Sequence, residues 1–559
     1  MTSLWFLSVL VALGYVLTKL LRIGRRPPGY PPGPPTVPLL GNLHLMPKEN
    51  PHLQMKKWAE EYGPIFSLML GTQATIVLSS DQAVKDLLDK RGSIYNSRPD
   101  LYIARIVSNN HRMLFMHGER WRVIHKLFHV ILNVRAAKAY VPYQDLEAKR
   151  LMCGLLDEPD LWIDHVRRFT TSLVTQMIYG FRTTSIHDPQ LKRLYDVVDE
   201  FVPTIGSTGA ALFDLYPILR KFPDWMLPAK KKAKVQHANE KQLFLDHWTA
   251  CKERINNKTS LPCFGVDVFN AQKGGDFSDD EAAYVAATIL EAGYDTTANT
   301  IMGFIEAMIL YPDTQKAAQE ELDRVCGGRM PVIDDAPNLP YIRAIVKETL
   351  RWMPTAILGV PHCAMRDDDY MGYKIPKNAS MVTNVWGIHR DPKRYAHPDI
   401  FDPTRYLGDD QIAAEAAANP DVSKRDHFVF GSGRRICVGM HTAERSLFLA
   451  MSRILWALRV EKAVGPDGRE ITPDPARLSQ GFFGPPRAVP HEADGAECRA
   501  CADGPGGVGA LRDVARCQSA VESGARGDEV LGFCFRVRLI GSNEVEWPSA
   551  GKEGVLIFG

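Results

Sequence analysis

The sequence predicts a mainly α-helical domain with small β-sheets, preceded by one N-terminal transmembrane helix. Three observations carry this prediction. Residues 4–21 form an almost wholly apolar run. From residue 37 to 486, apolar residues recur mostly at the three- and four-residue steps of amphipathic helices. Patterns typical of strands occur in short stretches such as residues 71–80 and 371–389, while helical periodicity dominates.

Composition limits the classes of function. Among the 559 residues, 67 lysines and arginines nearly balance 65 aspartates and glutamates, so charge offers no argument for nucleic acid as a partner. The ten cysteines lie at irregular spacings. In a chain of this size that distribution favours reduced, mostly buried thiols in a cytosolic environment over a disulfide framework.

Residues 1–26 are predicted to be a membrane anchor. The apolar run approaches the roughly 20 residues that span a bilayer core. Arg22, Arg25 and Arg26 follow it, and this positive flank predicts a single-pass helix whose following segment stays cytoplasmic. A cleaved signal peptide is the alternative, which fits less well because the charge follows the run and no small-residue cleavage site is evident.

The organisation after the anchor is simple. Residues 27–36 begin PPGYPPGPP, and proline at this density predicts a stiff, extended hinge between the membrane and the globular domain. Residues 37–486 then read as one domain, without a second linker, a repeat or a low-complexity block.

One predicted helix is exceptionally long. Ser278 and Glu281 have the spacing of a capping box, and no break is expected before Tyr311. At 1.5 Å per residue such a helix is about 48 Å long, enough to cross a whole domain.

The middle of this helix, EAGYDTTAN at residues 291–299, contains four poor helix formers: Gly293, Asp295, Thr296 and Thr297. They have two interpretations. The helix could be kinked for packing, with Thr296 bonding back to a carbonyl. Alternatively, a groove could open in the helix, where an acid and a hydroxyl lie side by side to move protons.

A single cysteine lies in the segment FVFGSGRRICVGM, residues 428–440. Cys437 stands at the end of a glycine-rich turn, just ahead of a predicted helix. Backbone N–H groups and the helix dipole favour an anion there, so we expect a thiolate with a lowered pKa.

Two further segments are weak signals by themselves. Glu348 and Arg351, in KETLRW, stand three residues apart on a predicted helix and can form an ion pair. Such pairs are common on surface helices and usually contribute little. Arg405 lies in FDPTRY, an irregular loop punctuated by proline.

Together and in this order, these segments resemble the cytochrome P-450 superfamily of haem-thiolate monooxygenases, over residues 30–485. The pattern F-x-x-G-x-R-x-C-x-G is matched at every fixed position, and AGYDTT at residues 292–297 is similar to the family's oxygen-activation motif. Segments 95–99, 358–362 and 371–377 are similar to fungal members of secondary metabolism. The matching single residues are Phe430, Gly433, Arg435, Cys437 and Gly439 in the cysteine pattern and Glu348, Arg351 and Arg405 in the Glu–Arg–Arg triad.

The resemblance implies a cofactor and the residues that hold it. Cys437 would be the proximal ligand of the iron of haem b, and Arg435 would face a haem propionate. Trp121 begins a motif whose fifth position, usually arginine, is His125 here, with Lys126 as a substitute donor. His362 matches a position that also meets a propionate. The triad would lock the fold around the cysteine loop.

The resemblance also implies the reaction and its setting. Asp295 and Thr296 would deliver protons during insertion of one oxygen atom of dioxygen into a lipophilic small molecule. The pocket would be lined by residues 101–116, 287–296 and 355–360, which are mostly apolar. An NADPH-dependent cytochrome reductase would supply electrons at the endoplasmic reticulum membrane.

Three other classes stay open. A membrane-tethered, non-catalytic haem-binding protein would not need the acid–alcohol pair. A haem-thiolate isomerase or dehydratase would use the same cysteine but usually lacks that pair. A zinc protein is suggested by Cys498 and Cys501, but no second pair has metal-ligand spacing.

The resemblance ends near residue 485. Residues 487–559 are rich in Gly, Ala, Arg and Glu and hold four of the ten cysteines. This composition is unsuited to a packed core, so we expect a mostly disordered tail without a catalytic role. Its abrupt start is typical of a retained intron or a shifted reading frame, although a genuine added tail would look the same.

Overall fold

The computed structural model describes residues 2–275, 277–463, 468–476 and 478, and the backbone of residues 535–539. Most of them are helical, and the predicted mainly α fold is confirmed. The helices are α1 Thr2–Arg22, α2 Pro51–Tyr62, α3 Asp81–Val84, α4 Tyr102–Ser108, α5 Gly118–Leu132, α6 Val141–Asp157, α7 Trp162–Tyr179, α8 Pro189–Val198, α9 Phe201–Gly206, α10 Thr208–Leu215, α11 Pro228–Asn256, α12 Phe264–Lys273, α13 Asp279–Leu310, α14 Pro312–Val325, α15 Pro340–Trp352, α16 Val385–His389, α17 Ala413–Ala417 and α18 Met440–Ala457.

The strands form three small sheets. They are β1 Ile65–Leu70, β2 Gln73–Leu78, β3 His362–Cys363, β4 Asp368–Tyr370, β5 Tyr373–Ile375, β6 Ser380–Thr383, β7 Leu458–Lys462 and β8 Phe535–Leu539. In the order β1–β2–β6–β3, β2 and β6 are parallel and the outer pairs are antiparallel. β4 pairs with β5 and β7 with β8, both antiparallel. Both stretches predicted to contain strands do so.

Helix α13 lies at the centre of the fold. The predicted capping box is present, since the Ser278 hydroxyl accepts from the Glu281 N–H and the Glu281 carboxylate accepts from the Ser278 N–H. The helix packs on α7, α11 and α18, and most of its residues are buried. It is uninterrupted through residues 291–299, so the cluster of poor helix formers does not break it.

The proline-rich segment is irregular, but it is docked on the domain. The Ser67 hydroxyl donates to the Pro31 carbonyl at 2.6 Å, and the Ser67 N–H donates to the Pro32 carbonyl at 2.7 Å. Arg26 donates to the carbonyls of Gly33 and Pro34, both at 2.9 Å. The segment therefore lies along β1 and contributes to the fold, whereas the sequence suggested a spacer outside it.

The structure describes helix α1 at the N-terminal end but only a short part of the C-terminal tail. Helix α1 is long and apolar enough to cross a membrane, by length and composition, and its Trp5–Arg22 stretch has no buried residues. Of the tail, residues 535–539 form β8, which pairs with β7 in the register Leu458↔Leu539. The remainder of residues 487–559, with Cys498 and Cys501, lies outside the described residues, so the expected disorder is not tested there.

Candidate functional site

The cysteine loop takes its shape from its glycines. Gly433 has a φ of +64°, a conformation that favours glycine, and a Cβ there would collide with the carbonyl oxygen of Leu88. The Cys437 N–H donates to the Phe430 carbonyl at 2.8 Å, which closes the loop just before α18. These contacts explain why glycine and cysteine stand at these positions of the motif.

The Cys437 sulfur is surrounded by the protein yet exposed, so it faces an open space inside the molecule. Burial raises the pKa of the thiol, and the Gly439 N–H bond offsets only part of this effect. The expectation of a lowered pKa is therefore wrong for the protein by itself. The cost of burying a charge exceeds the effect of this hydrogen bond, so a thiolate here needs a positive partner such as a metal ion.

A second open surface interrupts the buried length of α13. Ala292 is exposed, and Thr296 is partly exposed one turn later. We call these two residues the Thr296 face. The Thr296 hydroxyl donates to the Ala292 carbonyl at 2.7 Å, so the back-bonding interpretation holds for this side chain. The hydroxyl oxygen keeps its lone pairs to accept a further hydrogen bond.

Asp295 lies beside this face and inside the protein. Its Oδ2 accepts from the Asn299 amide at 3.1 Å. Burial raises the pKa of Asp295 to about 6, against a smaller lowering effect of Arg167. A carboxyl with this pKa exchanges its proton near neutral pH, as proton delivery requires. The structure thus places the acid and the hydroxyl on neighbouring residues of one unbroken helix.

Three basic side chains gather near the cysteine loop. Arg98 donates to the carbonyls of Leu114, Val360 and Pro361 at 3.1, 2.7 and 2.8 Å. Its pKa is lowered to about 9 by burial and by the charge of Arg435.

The other two members of this cluster are predicted site residues. Arg435 donates to the carbonyls of Asn96 and Met116 at 2.8 and 2.6 Å, and burial lowers its pKa to about 10. The His362 ring nitrogen Nδ1 lies 2.8 Å from the Tyr95 carbonyl. Burial, then Arg98, lowers the pKa of His362 to about 3. Within the described part of the chain, none of the three side chains forms an ion pair with a carboxylate.

Trp121 and His125 extend this basic cluster. The Arg435 guanidinium lies 4.0 Å from the Trp121 ring centroid, a cation–π contact. The His125 ring lies 4.7 Å from the Trp121 ring. Burial, then His129 and Arg435, lowers the pKa of His125. The histidine that replaces the usual arginine therefore lies in the same group of side chains as Arg435.

Glu348, Arg351 and Arg405 come together away from solvent. Arg351 makes two 2.7 Å bonds to the two Glu348 oxygens, and Arg405 Nε lies 3.4 Å from Glu348 Oε1. Glu348 and Arg351 are both fully buried. From the sequence this pair resembled an ordinary surface pair, because an i, i+3 spacing carries no information about burial.

His389 joins this triad to the cysteine loop. Its Nδ1–H donates to the Arg351 carbonyl at 2.8 Å, and its Nε2 accepts from the Phe428 N–H at 2.8 Å. Burial, then His427, lowers the pKa of His389 well below its usual value, which keeps the ring neutral as these two roles require. Sequence reasoning missed His389, since nothing in its local pattern marks it.

The residues present fit a haem group. An exposed interior thiol needs a cation, and the buried Arg98 and the half-buried Arg435 lack a negative partner among the described residues. A cofactor with a metal centre and anionic side groups satisfies both needs. Arg98 was missed as a site residue, although the segment YNSRP that contains it was noticed.

The fold and this site together define a helical haem-thiolate enzyme. The sequence matches the family description Cytochrome P450 over residues 31–481. It is 52% identical to the cytochrome P450 monooxygenase virE of Hypocrea virens, over 88% of this chain and 89% of that protein. It is 50% identical to the cytochrome P450 monooxygenase fogE of Aspergillus ruber, over 86% and 90% of the two chains.

A more distant relative, the cytochrome P450 monooxygenase patI of Penicillium expansum, is 35% identical over 81% of this chain and 86% of that protein. The chain therefore belongs to the cytochrome P450 family. It is a monooxygenase whose cofactor is an iron haem with a thiolate ligand. The expectations about family, class of enzyme and cofactor are confirmed.

Proposed function

We propose that this enzyme inserts one oxygen atom of dioxygen into a lipophilic intermediate of fungal secondary metabolism. The relatives at about 50% identity are fungal monooxygenases, which supports this setting. The two electrons would come from an NADPH-dependent cytochrome reductase. Helix α1 supports attachment to the endoplasmic reticulum membrane, with the catalytic domain on the cytoplasmic side.

Cys437 is the proposed axial ligand. The bound haem iron supplies the activation of dioxygen, and the thiolate favours cleavage of the O–O bond. Phe430, Gly433 and Gly439 shape the loop that presents the sulfur. The Gly439 N–H bond to the sulfur tempers its electron donation.

The basic cluster is the proposed site of the haem propionates. Arg435, His125 and His362 were predicted for this role, with Trp121 as support, and we add Arg98. Backbone carbonyls hold both guanidinium groups in place, so their charges are oriented before an anion arrives. The Glu348–Arg351–Arg405 triad, through His389, holds the start of the cysteine loop.

Asp295 and Thr296 are the proposed proton-delivery pair. The Thr296 hydroxyl can accept a hydrogen bond from a water molecule at the open face while it donates to the Ala292 carbonyl. Asp295 can release and regain a proton near neutral pH. Oxygen insertion consumes two protons in forming one water, so a renewable proton source is required at this face.

The exposed interior sulfur of Cys437 is the observation that carries this proposal. Cys437→Ser should fold but lose the Soret band that the reduced carbon monoxide complex of a thiolate-ligated haem gives. The control is Cys363→Ser, a buried cysteine outside the loop. That band surviving in Cys437→Ser would refute the ligand assignment.

A further inference from the structure

Two cysteines outside the proposed haem site lie against each other. Cys251 is near the end of α11, and Cys263 directly precedes α12. A Cβ on Gly265, in the first turn of α12, would lie 2.4 Å from Cys251 Sγ and 3.6 Å from Cys263 Sγ. Both sulfurs therefore border one position, which is open only because residue 265 is glycine. The two side chains are free, buried thiols that hydrogen-bond to one another.

The surroundings of Cys263 favour its thiolate. The residue occupies the N-cap position of α12, and the N–H groups of Val266 and Gly265 donate to its sulfur. The Ser260 hydroxyl lies 3.6 Å from the same sulfur. The hydrogen bond with Cys251 is the largest contribution, and together these contacts outweigh burial and lower the pKa of Cys263. A thiolate at the start of a ten-residue helix is also favoured by the helix dipole.

The surroundings of Cys251 have the opposite effect. Its hydrogen bond to Cys263, and then burial, raise the pKa of the Cys251 thiol, so it keeps its proton. Access differs as well, because Cys263 is 7% exposed and Cys251 is 0% exposed. Cys263 also follows the exposed residues 256–259 and 261–262. A small oxidant from solvent therefore meets the Cys263 sulfur first, and Cys251 is the thiol in contact with it afterwards.

We propose that Cys251 and Cys263 form a redox modification site, which hydrogen peroxide oxidises to a disulfide between the end of α11 and the start of α12. The Cys263 thiolate attacks one peroxide oxygen, the O–O bond breaks, and Cys263 becomes a sulfenic acid. The departing hydroxide takes up the proton that Cys263 released on ionising. The Cys251 sulfur then attacks the Cys263 sulfur, the S–O bond breaks, and the hydroxyl leaves as water with the Cys251 proton.

This sequence of steps is balanced and reversible. The two sulfurs lose two electrons in total, and one peroxide is reduced to two waters. A thiol reductant returns both cysteines to the free state by thiol–disulfide exchange. Helices α11 and α12 both pack on α13, so the disulfide would tie together two supports of the central helix. The inference uses none of the proposed haem-binding residues, so its failure would leave the proposed function unaffected.

The first test locates the disulfide by mass spectrometry of the full-length, haem-loaded protein. Trypsin places Cys251 on the peptide 242–252 and Cys263 on the peptide 259–273. After treatment with hydrogen peroxide and alkylation, these peptides should be joined, with a loss of two hydrogens. Dithiothreitol before alkylation should separate them. Cys363, another buried cysteine, is the control and should remain a free thiol. Peptides that stay separate after peroxide treatment would overturn the proposal.

The second test assigns the two roles. Cys251→Ser removes the resolving sulfur, so Cys263 should stop at the sulfenic acid and be trapped by dimedone. Cys263→Ser is the matched variant, since it removes the attacking thiolate, and Cys251 should then give no dimedone adduct. A Cys251→Ser protein without an adduct at Cys263, or a Cys263→Ser protein with an equal adduct at Cys251, would overturn the proposed order of attack.

The third test shows whether the disulfide forms within one chain. The joined peptides should appear at the same rate when the protein is diluted tenfold at constant peroxide concentration, because both sulfurs belong to one buried contact. A non-reducing gel of the oxidised protein should show the monomer. A rate that falls on dilution, together with a dimer on the gel, would mean that peroxide links two copies of the chain and would overturn the proposal.

Discussion

Arg98 shows how one side chain can prepare a site for an anion. Three backbone carbonyls hold its guanidinium, and it forms no ion pair within the described part of the chain. A bound propionate would supply the missing charge. Removing a buried charge partner of this kind is expected to weaken cofactor retention more than overall folding.

Arg98→Gln should therefore lose haem faster than the wild type, because an amide cannot balance a propionate. The measurement is the rate of haem transfer to apomyoglobin. Arg254→Gln is the matched control, since Arg254 also bonds a carbonyl, that of Tyr179 at 3.1 Å, and lies outside the site. A transfer rate for Arg98→Gln equal to that of Arg254→Gln would contradict the propionate role.

His427 is a fully buried histidine whose pKa is lowered to about 3 by burial, with a smaller contribution from Lys347. An unfolded histidine titrates near 6.5. Between these two values the unfolded chain binds a proton that the folded chain does not, so His427 costs stability as the pH falls below about 6.5. Above about pH 6.5 both states leave His427 neutral, so this cost to stability is absent.

His427→Leu should remove this dependence. Relative to the wild type, the free energy of unfolding of the variant should gain about 1.4 kcal/mol for each pH unit below 6.5. Urea unfolding at pH 7.5 and 5.5 measures the difference. A gap between variant and wild type that does not change with pH would show that His427 is not held neutral.

At the scale of elements, the crossing of α13 and α7 depends on Gly293. A Cβ at Gly293 would lie 2.7 Å from Cγ2 of Val174, a stiff side chain on α7. The glycine therefore lets two central helices approach closely. Gly293 thus serves helix packing, whereas the sequence suggested that it weakens the helix locally.

Gly293→Ala should destabilise the protein by about 1–3 kcal/mol through overpacking, although alanine favours helices by about 1 kcal/mol. Adding Val174→Ala should restore most of the loss, because it removes the clashing methyl groups. Thermal unfolding of the two single variants and the double variant measures the coupling. Additive effects would rule out a contact between the two positions.

At the scale of the molecule, Arg26, the last residue of the predicted anchor, already bonds to the globular domain. This residue bonds the carbonyls of Gly33 and Pro34 and both the hydroxyl and the carbonyl of Ser67. A deletion through residue 26 thus removes part of the folded domain along with helix α1.

Deleting residues 1–24 should move much of the protein from the membrane pellet to the supernatant with haem content unchanged. Deleting residues 1–26 should release it too, but lower its thermal stability, since four hydrogen bonds of Arg26 are lost. Sedimentation and thermal unfolding measure the two effects. Full retention of both variants in the pellet would mean that α1 is not the main attachment, and equal stability would mean that Arg26 contributes nothing.

Much of the fold could be predicted because its signals are local. Repeated apolar spacing predicted the helices, and the Ser278–Glu281 capping box predicted the start of α13. The docking of residues 27–36 could not be predicted, because it depends on hydrogen bonds from Ser67 to Pro31 and Pro32, which are 36 and 35 residues away in the chain. The pairing of β7 with residues 535–539 is likewise a long-range contact.

The sequence by itself determined the family and the class of chemistry and singled out Cys437 as the proposed ligand, since the glycines, arginine and cysteine of residues 430–439 must stand in a fixed local order to shape one loop. Only the tertiary structure decided the surroundings of these residues. Tertiary packing buries the Glu348–Arg351 ion pair in the core and raises the pKa of the Cys437 thiol through burial. It also brings Arg98 close enough to Arg435 for the two charges to interact. Burial and charge contacts join residues that are distant in the chain, so no local spacing can encode them.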